Sequence, residues 1–144
     1  MRLSFLAMPV LAATLAACSQ GVDTSEVDAT LNLWSTSNQR LMDVDTSMLG
    51  SGADDFIVTS LDFRAYAGML RSGIEGVPTE VTTEVAVALE RAADGLEEVS
   101  ACFSGPGNCD AVVSEAGERQ YELGLAMGEL AKYGTVDVAE LTEP

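Results

Sequence analysis

Residues 78–103 read PTEVTTEVAVALERAADGLEEVSACF, and this segment decides the fold. Its apolar residues recur at spacings of three and four, which is the repeat of one face of an α-helix. Pro78 stands near a first helical turn, where a missing N–H costs no hydrogen bond. The apolar positions are Val81, Val85, Ala88, Leu89, Ala92, Leu96, Val99 and Phe103. The segment therefore predicts an amphipathic helix that must bury one face against other elements.

Three further helices are predicted around this segment, because glycine-rich breaks divide the chain and each interval carries its own apolar stripe. Asp23, with Glu26 three residues later, resembles a capping box at the start of the first helix. Asn108 is a candidate cap for the fourth helix, which continues towards Gly134. The breaks fall at residues 50–52, 72–76 and 105–107. The stripe of the first helix comprises Val27, Leu31, Trp34, Leu41 and Met48. In the second helix, predicted over residues 54–70, it comprises Phe56, Phe63 and Leu70, and Ile57 and Leu61 widen it. The stripe of the fourth helix comprises Val112, Ala116, Leu123, Met127 and Leu130.

Four amphipathic helices of similar length, joined by short loops, favour an up-down-up-down arrangement, because an antiparallel bundle buries all four stripes at once. The predicted fold class is therefore all-α, with a single antiparallel four-helix bundle over residues 24–134. Residues 135–144 are predicted to form a C-terminal tail, since they contain too few apolar residues for another full element. No alternating strand pattern competes with this interpretation.

The start of the chain carries an export pattern. Arg2 supplies one positive charge, and the apolar run after it is shorter than the roughly 20 residues that span a membrane. The run closes with Leu15-Ala16-Ala17-Cys18, which resembles the lipobox of bacterial lipoproteins. The resemblance implies that residues 1–17 are a signal peptide that is cleaved, and that Cys18 becomes the lipid-modified first residue. Residues 18–23 would then form the lipid anchor and a short tether.

The same resemblance implies a location in the bacterial cell envelope. Lipid on Cys18 would attach the protein to a membrane that the chain does not cross, because two or three acyl chains anchor firmly where one does not. In a Gram-negative cell, Ser19 is typical of sorting to the outer membrane, facing the periplasm. An ordinary secretory signal followed by a chance cysteine is the alternative.

The other two cysteines, Cys102 and Cys109, flank the predicted turn between the third and fourth helices. Exported proteins usually occupy an oxidising compartment, where such a pair forms a structural disulfide. The spacing differs from the CxxC of a redox centre, and the neighbouring Asp110 would oppose a reactive thiolate. A disulfide that clips the hairpin between helices three and four is therefore predicted.

Acidic residues dominate the charge of the chain. There are 23 acidic and seven basic residues, giving a net charge of −16, and loss of Arg2 with the signal peptide makes this −17. Such a surface repels nucleic acid and anionic lipid, which excludes nucleic acid as a partner. It favours cationic partners such as basic proteins, basic peptides, polyamines or divalent ions, and a protein partner is expected, although solubility alone would also account for the acidity.

Histidine is absent from the whole sequence. Its absence excludes Ser/His/Asp and Cys/His triads, zinc and haem sites with His ligands, and the Glu-x-x-His pattern of di-iron bundles. An enzyme would have to work with carboxylates alone, and no pair of acids stands out. The sequence therefore predicts no catalytic residue and no cofactor.

The turn between the first two helices partly resembles a calcium-binding loop. Oxygen ligands fall at its first, third, fifth and twelfth positions, in Asp43, Asp45, Ser47 and Asp54. However, Met48 stands where the sharp turn of such a loop requires glycine, and aspartate replaces the longer bidentate glutamate at the end. A helix end, a glycine-rich turn and a new helix start form the favoured interpretation, with a calcium site as the alternative.

The absence of catalytic groups favours a non-enzymatic interaction module, such as an adaptor, an assembly factor or an inhibitor. Binding of a small ligand or cation is the alternative, and carboxylate-dependent hydrolysis is a second alternative. Trp34 could offer a ligand platform, but its place in the first stripe predicts packing in the core. Asn38 and Asp45, near the same stripe, mark either a polar site or its edge.

Overall fold

The computed structural model describes residues 21–43 and 53–136, and these residues form four α-helices. No strand occurs in this described part of the chain, so the predicted all-α class is confirmed. None of the helices described is long and apolar enough to cross a membrane. Residues 1–20, with the predicted signal peptide and Cys18, lie outside the described residues. The helices are α1 (Thr24–Met42), α2 (Ala53–Leu70), α3 (Thr79–Phe103) and α4 (Asp110–Ala131).

The four helices form a closed ring in which each packs against the next and α4 returns to α1. Neighbouring helices run in opposite directions. Ser60 of α2 contacts Glu97 of α3, whereas Arg71, just beyond the end of α2, contacts Glu90, so residue numbers rise along one side and fall along the other. The same reversal appears in the contacts of Glu98 with Arg119, Arg91 with Glu122, Asp28 with Gly134 and Trp34 with Gly124. The prediction of an antiparallel four-helix bundle is confirmed.

The core is built largely from the predicted stripes. The α3 residues Val85, Leu89 and Leu96 are buried, and Trp34 is only 5% exposed, which confirms its predicted place in the core. Removal of this apolar surface from water, at roughly 25 cal/mol per Å², is the main force that holds the helices together. Fully buried apolar residues from the other helices are Val27, Leu31, Phe63, Ala67, Leu123 and Leu130.

The prediction that Ile57 and Leu61 widen the buried stripe of α2 is wrong. Their exposed fractions are 38% and 59%. At 100° per residue, they lie about 120° and 160° around the helix axis from Phe63, which is fully buried. Small Ser60 and Ala67 occupy the buried side with Phe63, so α3 approaches α2 closely there. The bundle therefore covers one side of α2 and leaves the other apolar side in solvent.

The start of α1 is tied to the turn between α2 and α3. Asp23 caps α1 as predicted, because its carboxylate accepts the backbone N–H of Ser25 at 3.1 Å and of Glu26 at 3.3 Å. The backbone N–H of Asp23 donates to the carbonyl of Glu75 at 2.9 Å, which takes the place of the second bond of a capping box. Gly76 has a φ of +80° and its Cα lies against the backbone of Gly21, so a side chain cannot fit there.

The predicted disulfide between Cys102 and Cys109 is confirmed, with Cα atoms 5.9 Å apart across the α3–α4 turn. Cys109 is also the residue that directly precedes α4. Asn108 was predicted to cap this helix, and its side chain does accept the backbone N–H of Asp110 at 2.8 Å, from one residue further upstream than the cap position. The turn is therefore held by both a disulfide and a hydrogen bond.

We expect replacement of both Cys102 and Cys109 by serine to lower the free energy of unfolding by about 2 kcal/mol, because a short closed loop no longer restricts the unfolded chain. Urea denaturation followed by circular dichroism measures this change. Wild-type protein treated with a reducing agent should show the same loss. An unchanged midpoint in both samples would mean that the disulfide adds nothing to stability.

The predicted tail, residues 135–144, begins with a fixed contact to α1. The backbone N–H groups of Thr135 and Val136 donate to the carboxylate of Asp28 at 2.8 and 3.3 Å. Together with the Thr135 hydroxyl, these bonds favour the ionised form and lower the pKa of Asp28. The contact joins the end of α4 to α1, and residues 137–144 lie outside the described residues.

Candidate functional surfaces

The two described ends of the predicted calcium loop belong to helix ends. Asp43 follows α1 as its C-cap, and Asp54 lies in the first turn of α2, where a negative charge favours the helix dipole. Arg40 shares a shallow polar groove with Asp43, and its positive charge opposes a metal ion there. Within residues 21–43 and 53–136, no three His, Cys, Asp or Glu side chains are grouped to hold a metal. Asp45 and Ser47 lie outside these residues, so the calcium alternative stays a prediction.

A half-open groove of about 620 Å³ runs along the outside of the bundle between α3 and α4. Val87 and Leu125 form its walls and are 43% and 58% exposed, while Ala88 and Ala126 lie deeper. The remaining lining residues are the charged Glu84, Arg91, Glu122 and Glu129. We name this surface the α3–α4 groove. It presents a strip of exposed apolar side chains interspersed with three glutamates and one arginine.

The carboxylates of the α3–α4 groove are accessible to an incoming cation. Arg91 pairs with Glu122 at 2.8 Å, but both side chains are about half exposed. Glu129 pairs with Lys132 at the end of α4, and Glu84 makes no ion pair with any described residue. Exposed pairs of this kind contribute only about 0–1 kcal/mol. A basic side chain from a partner could therefore take the place of Arg91 or Lys132 in these ion pairs at little cost in free energy.

A smaller cleft of about 310 Å³ lies between the start of α1 and the end of α2. Its lining is mostly apolar, with exposed Met69 beside Leu70 and Ile74. Glu26 is the one charged side chain in this lining. The cleft therefore attracts cations less strongly than the α3–α4 groove does.

Helices α1 and α4 each carry buried polar side-chain atoms. The Trp34 Nε1, the Ser37 Oγ and both amide atoms of Gln120 are buried and have no hydrogen-bond partner among the described residues. Ser37 lies one helical turn beyond Trp34, and Gly124 lies one turn beyond Gln120. A Cβ added to Gly124 would lie 3.7 Å from the indole ring of Trp34. Unpaired buried polar groups cost about 1–3 kcal/mol each. Asn38, the polar residue that the sequence placed near the same stripe, is partly buried.

The pKa values of three carboxyl groups, Asp23, Asp28 and Glu97, are lowered. For Glu97 the main cause is Arg64, which donates two hydrogen bonds of 3.1 Å to the carboxylate. A general acid at neutral pH needs a raised pKa instead. These three groups therefore act as structural anions that fix helix ends and helix pairs.

The groove residues were not among those predicted from the sequence as a candidate site. Val87 and Leu125 lie outside the buried stripes of α3 and α4, and this position was the feature of the sequence that could have indicated the groove. A single exposed apolar residue is common on protein surfaces and needs no explanation. Only the packing of α3 on α4 shows that these two residues share one groove.

No protein-family model, curated protein or solved structure matches this chain. Its function is therefore inferred from its own residues and surfaces.

Proposed function

We propose that this protein is a membrane-anchored lipoprotein of the bacterial cell envelope that acts as a non-enzymatic protein-interaction module. The observation that carries the proposal is the α3–α4 groove, in which exposed Val87 and Leu125 stand among three glutamates and one arginine. Exposed apolar side chains with a polar rim are typical of surfaces that bind other proteins. The lipid on Cys18 would hold this groove at the membrane surface.

A basic amphipathic helix is the partner that the groove fits best. Its apolar side chains would cover Val87 and Leu125, which removes their surface from water. Its lysine or arginine side chains would reach the carboxylates of Glu84, Glu122 and Glu129 in the groove. The net charge of −17 on the mature chain would also attract such a partner over a distance and raise its association rate.

The lipid anchor would set the orientation of the bundle. Gly21 lies three residues beyond Cys18, and three residues reach at most about 10 Å. Because Gly21 contacts Gly76 in the α2–α3 turn, this end of the bundle would lie close to the membrane. The 25 residues of α3 extend for about 37 Å, so the Cys102–Cys109 disulfide would lie at the far end. The α3–α4 groove, in the first half of α3, would open sideways near the membrane.

The test is affinity capture with the lipidated protein, solubilised in mild detergent and crosslinked in an envelope extract at low and high salt. We expect a partner with a basic amphipathic segment, and capture at high salt should be weaker because salt screens the charges. Leu125→Glu should lower the recovery of this partner at least about 10-fold, since a charge would enter the apolar strip.

Val113→Glu is the matched control, because Val113 is also an exposed apolar residue of α4, at 44%, but lies outside the groove. Recovery of the partner should be unchanged in this variant. Equal loss in both variants, or full recovery with Leu125→Glu, would refute the groove as the binding surface. Failure to capture any partner with wild-type protein would contradict the proposed function itself.

A further inference from the structure

The lining of the α3–α4 groove follows the same pattern on both of its helices. Residues 84–91 read EVAVALER, and residues 122–129 read ELGLAMGE. In each segment the first, fourth, fifth and eighth residues line the groove, and this spacing places them on one side of a helix over two turns. They are Glu84, Val87, Ala88 and Arg91 in α3, and Glu122, Leu125, Ala126 and Glu129 in α4. The two helices therefore present a glutamate, a branched apolar residue and an alanine in the same order, and they differ in charge at the last position.

The two segments lie side by side in opposite directions. The guanidinium of Arg91 lies 2.8 Å from the carboxylate of Glu122, so the end of the α3 segment is level with the start of the α4 segment. Seven residues of helix extend for about 10 Å, which places Glu84 level with Glu129 at the other end of the groove. Two antiparallel segments of matching pattern are exchanged by a two-fold axis through the middle of the groove. The apolar strip therefore has nearly the same shape when it is approached from either end.

The charges of the groove break this symmetry at a single position. The α4 equivalent of Arg91 is Glu129, so one end of the lining holds the two carboxylates of Glu84 and Glu129. At the other end, Arg91 neutralises Glu122. Lys132 pairs with Glu129 from outside the lining and still leaves the first end with a net negative charge. The groove therefore has one acidic end and one neutral end, and the charge of Arg91 makes the difference.

We infer that Arg91 sets the direction in which the helical partner of the proposed function lies in the groove. Burial of Val87 and Leu125 contributes about equally in both directions, because the apolar strip is nearly symmetric. A basic residue of the partner is attracted by Glu84 and Glu129, whereas Arg91 repels it at the opposite end even when it is displaced from its own ion pair. The partner therefore binds with its basic end at the start of α3, which the proposed lipid anchor places on the membrane side.

Nuclear magnetic resonance with a spin-labelled probe tests the direction on residues 18–144, with Cys18→Ser so that no lipid is attached. All four helices of the bundle are retained in this chain. The probe is a synthetic amphipathic helical peptide of about four turns, with lysines only at its N-terminal end and a nitroxide at its C-terminal end. In a second peptide the lysines and the nitroxide exchange ends. The nitroxide broadens the amide signals of the residues that lie near it.

Both peptides should place the nitroxide beside Arg91 and Glu122, because the lysines determine the direction whichever end of the peptide carries them. The excess over the opposite direction should be about fivefold, as expected from two exposed charges. Arg91→Glu gives both helices the same charge pattern, so the nitroxide should then broaden the signals at both ends of the groove alike. This variant should also bind the peptides about threefold more tightly, since an attracting charge replaces a repelling one.

Arg71→Glu is the matched control for Arg91→Glu. Arg71 is also a half-exposed arginine, and it pairs with Glu90 of α3 at 2.6 Å, but it lies outside the groove. The substitution changes the net charge by the same amount and should leave the direction of the peptides unchanged. A changed direction in this variant would mean that the total charge of the bundle acts instead of Arg91, which would overturn the inference.

Equal broadening at both ends of the groove in the wild-type protein, or one retained direction in Arg91→Glu, would also overturn the inference. The proposed function would stand in both cases, because the peptide would still occupy the groove. Peptides that perturb the signals of neither Val87 nor Leu125 would instead contradict both the direction and the groove as a binding surface. The two proposals therefore fail in different ways.

Discussion

Replacement of Cys18 by serine is expected to abolish lipid attachment and to leave residues 1–17 joined to the chain. The lipobox resemblance of Leu15-Ala16-Ala17-Cys18 requires the thiol of this cysteine, because the diacylglyceryl group is attached through its sulfur and the signal peptide is cut afterwards. A serine hydroxyl is a poor substitute for the thiolate nucleophile. Without acyl chains, which contribute about 0.8 kcal/mol for each buried methylene, the variant loses the proposed lipid anchor.

Metabolic labelling with palmitate and intact-mass measurement provide the readout for Cys18→Ser. Wild-type protein should carry the label and have the mass of residues 18–144 with added acyl chains, whereas the variant should carry none and retain the signal peptide. The variant with both Cys102 and Cys109 replaced by serine is the control and should be labelled like wild type. Labelled Cys18→Ser, or wild type of unmodified mass, would contradict lipidation at this residue.

The fold could be predicted from the sequence because α3 has one unambiguous apolar side. Val85, Leu89 and Leu96 repeat at helical spacing with charged residues between them, and all three are buried. A helix of this kind must pack against partners, and three more stripes of similar length leave few alternatives to a bundle. The disulfide could be predicted because Cys102 and Cys109 flank a turn and have a sequence separation of only seven.

The buried side of α2 could not be assigned correctly because apolar residues occur all around this helix. Ile57 and Leu61 fit a helical repeat as well as Phe63 does, and the repeat alone does not show which side faces the core. The assignment depends on Ser60 and Ala67, whose small side chains let α3 approach. That information lies in the packing of two helices and is absent from the pattern of either one.

The α3–α4 groove depends on the relative position of two helices that the sequence does not give. Val87 and Leu125 are 38 residues apart in the chain, and they line one groove only because α3 and α4 are antiparallel in one particular register. Gly95 fixes that register in part, since a Cβ at this position would lie 3.2 Å from the Cα of Ala116. The contact of Asp28 with Thr135 could not be predicted from the sequence either, because it joins residues 107 positions apart.

Phe63→Ala is expected to lower the free energy of unfolding by about 3–5 kcal/mol, which is a large part of the 5–15 kcal/mol that stabilises most small domains. Phe63 is the largest of the fully buried side chains among the described residues, and its removal opens a cavity that the rigid neighbours cannot fill. Urea denaturation of the protein, followed by circular dichroism, measures the loss.

Leu61→Ala is the matched control for Phe63→Ala, because Leu61 lies two residues away on the opposite, solvent side of the same helix. In a monomer its truncation should change the free energy of unfolding by less than about 0.5 kcal/mol, as is usual for surface positions. The two variants therefore distinguish the two apolar sides of α2: the Phe63 side holds the bundle together, and the Leu61 side faces solvent. A small effect of Phe63→Ala together with a large effect of Leu61→Ala would show that the buried side of α2 has been assigned wrongly.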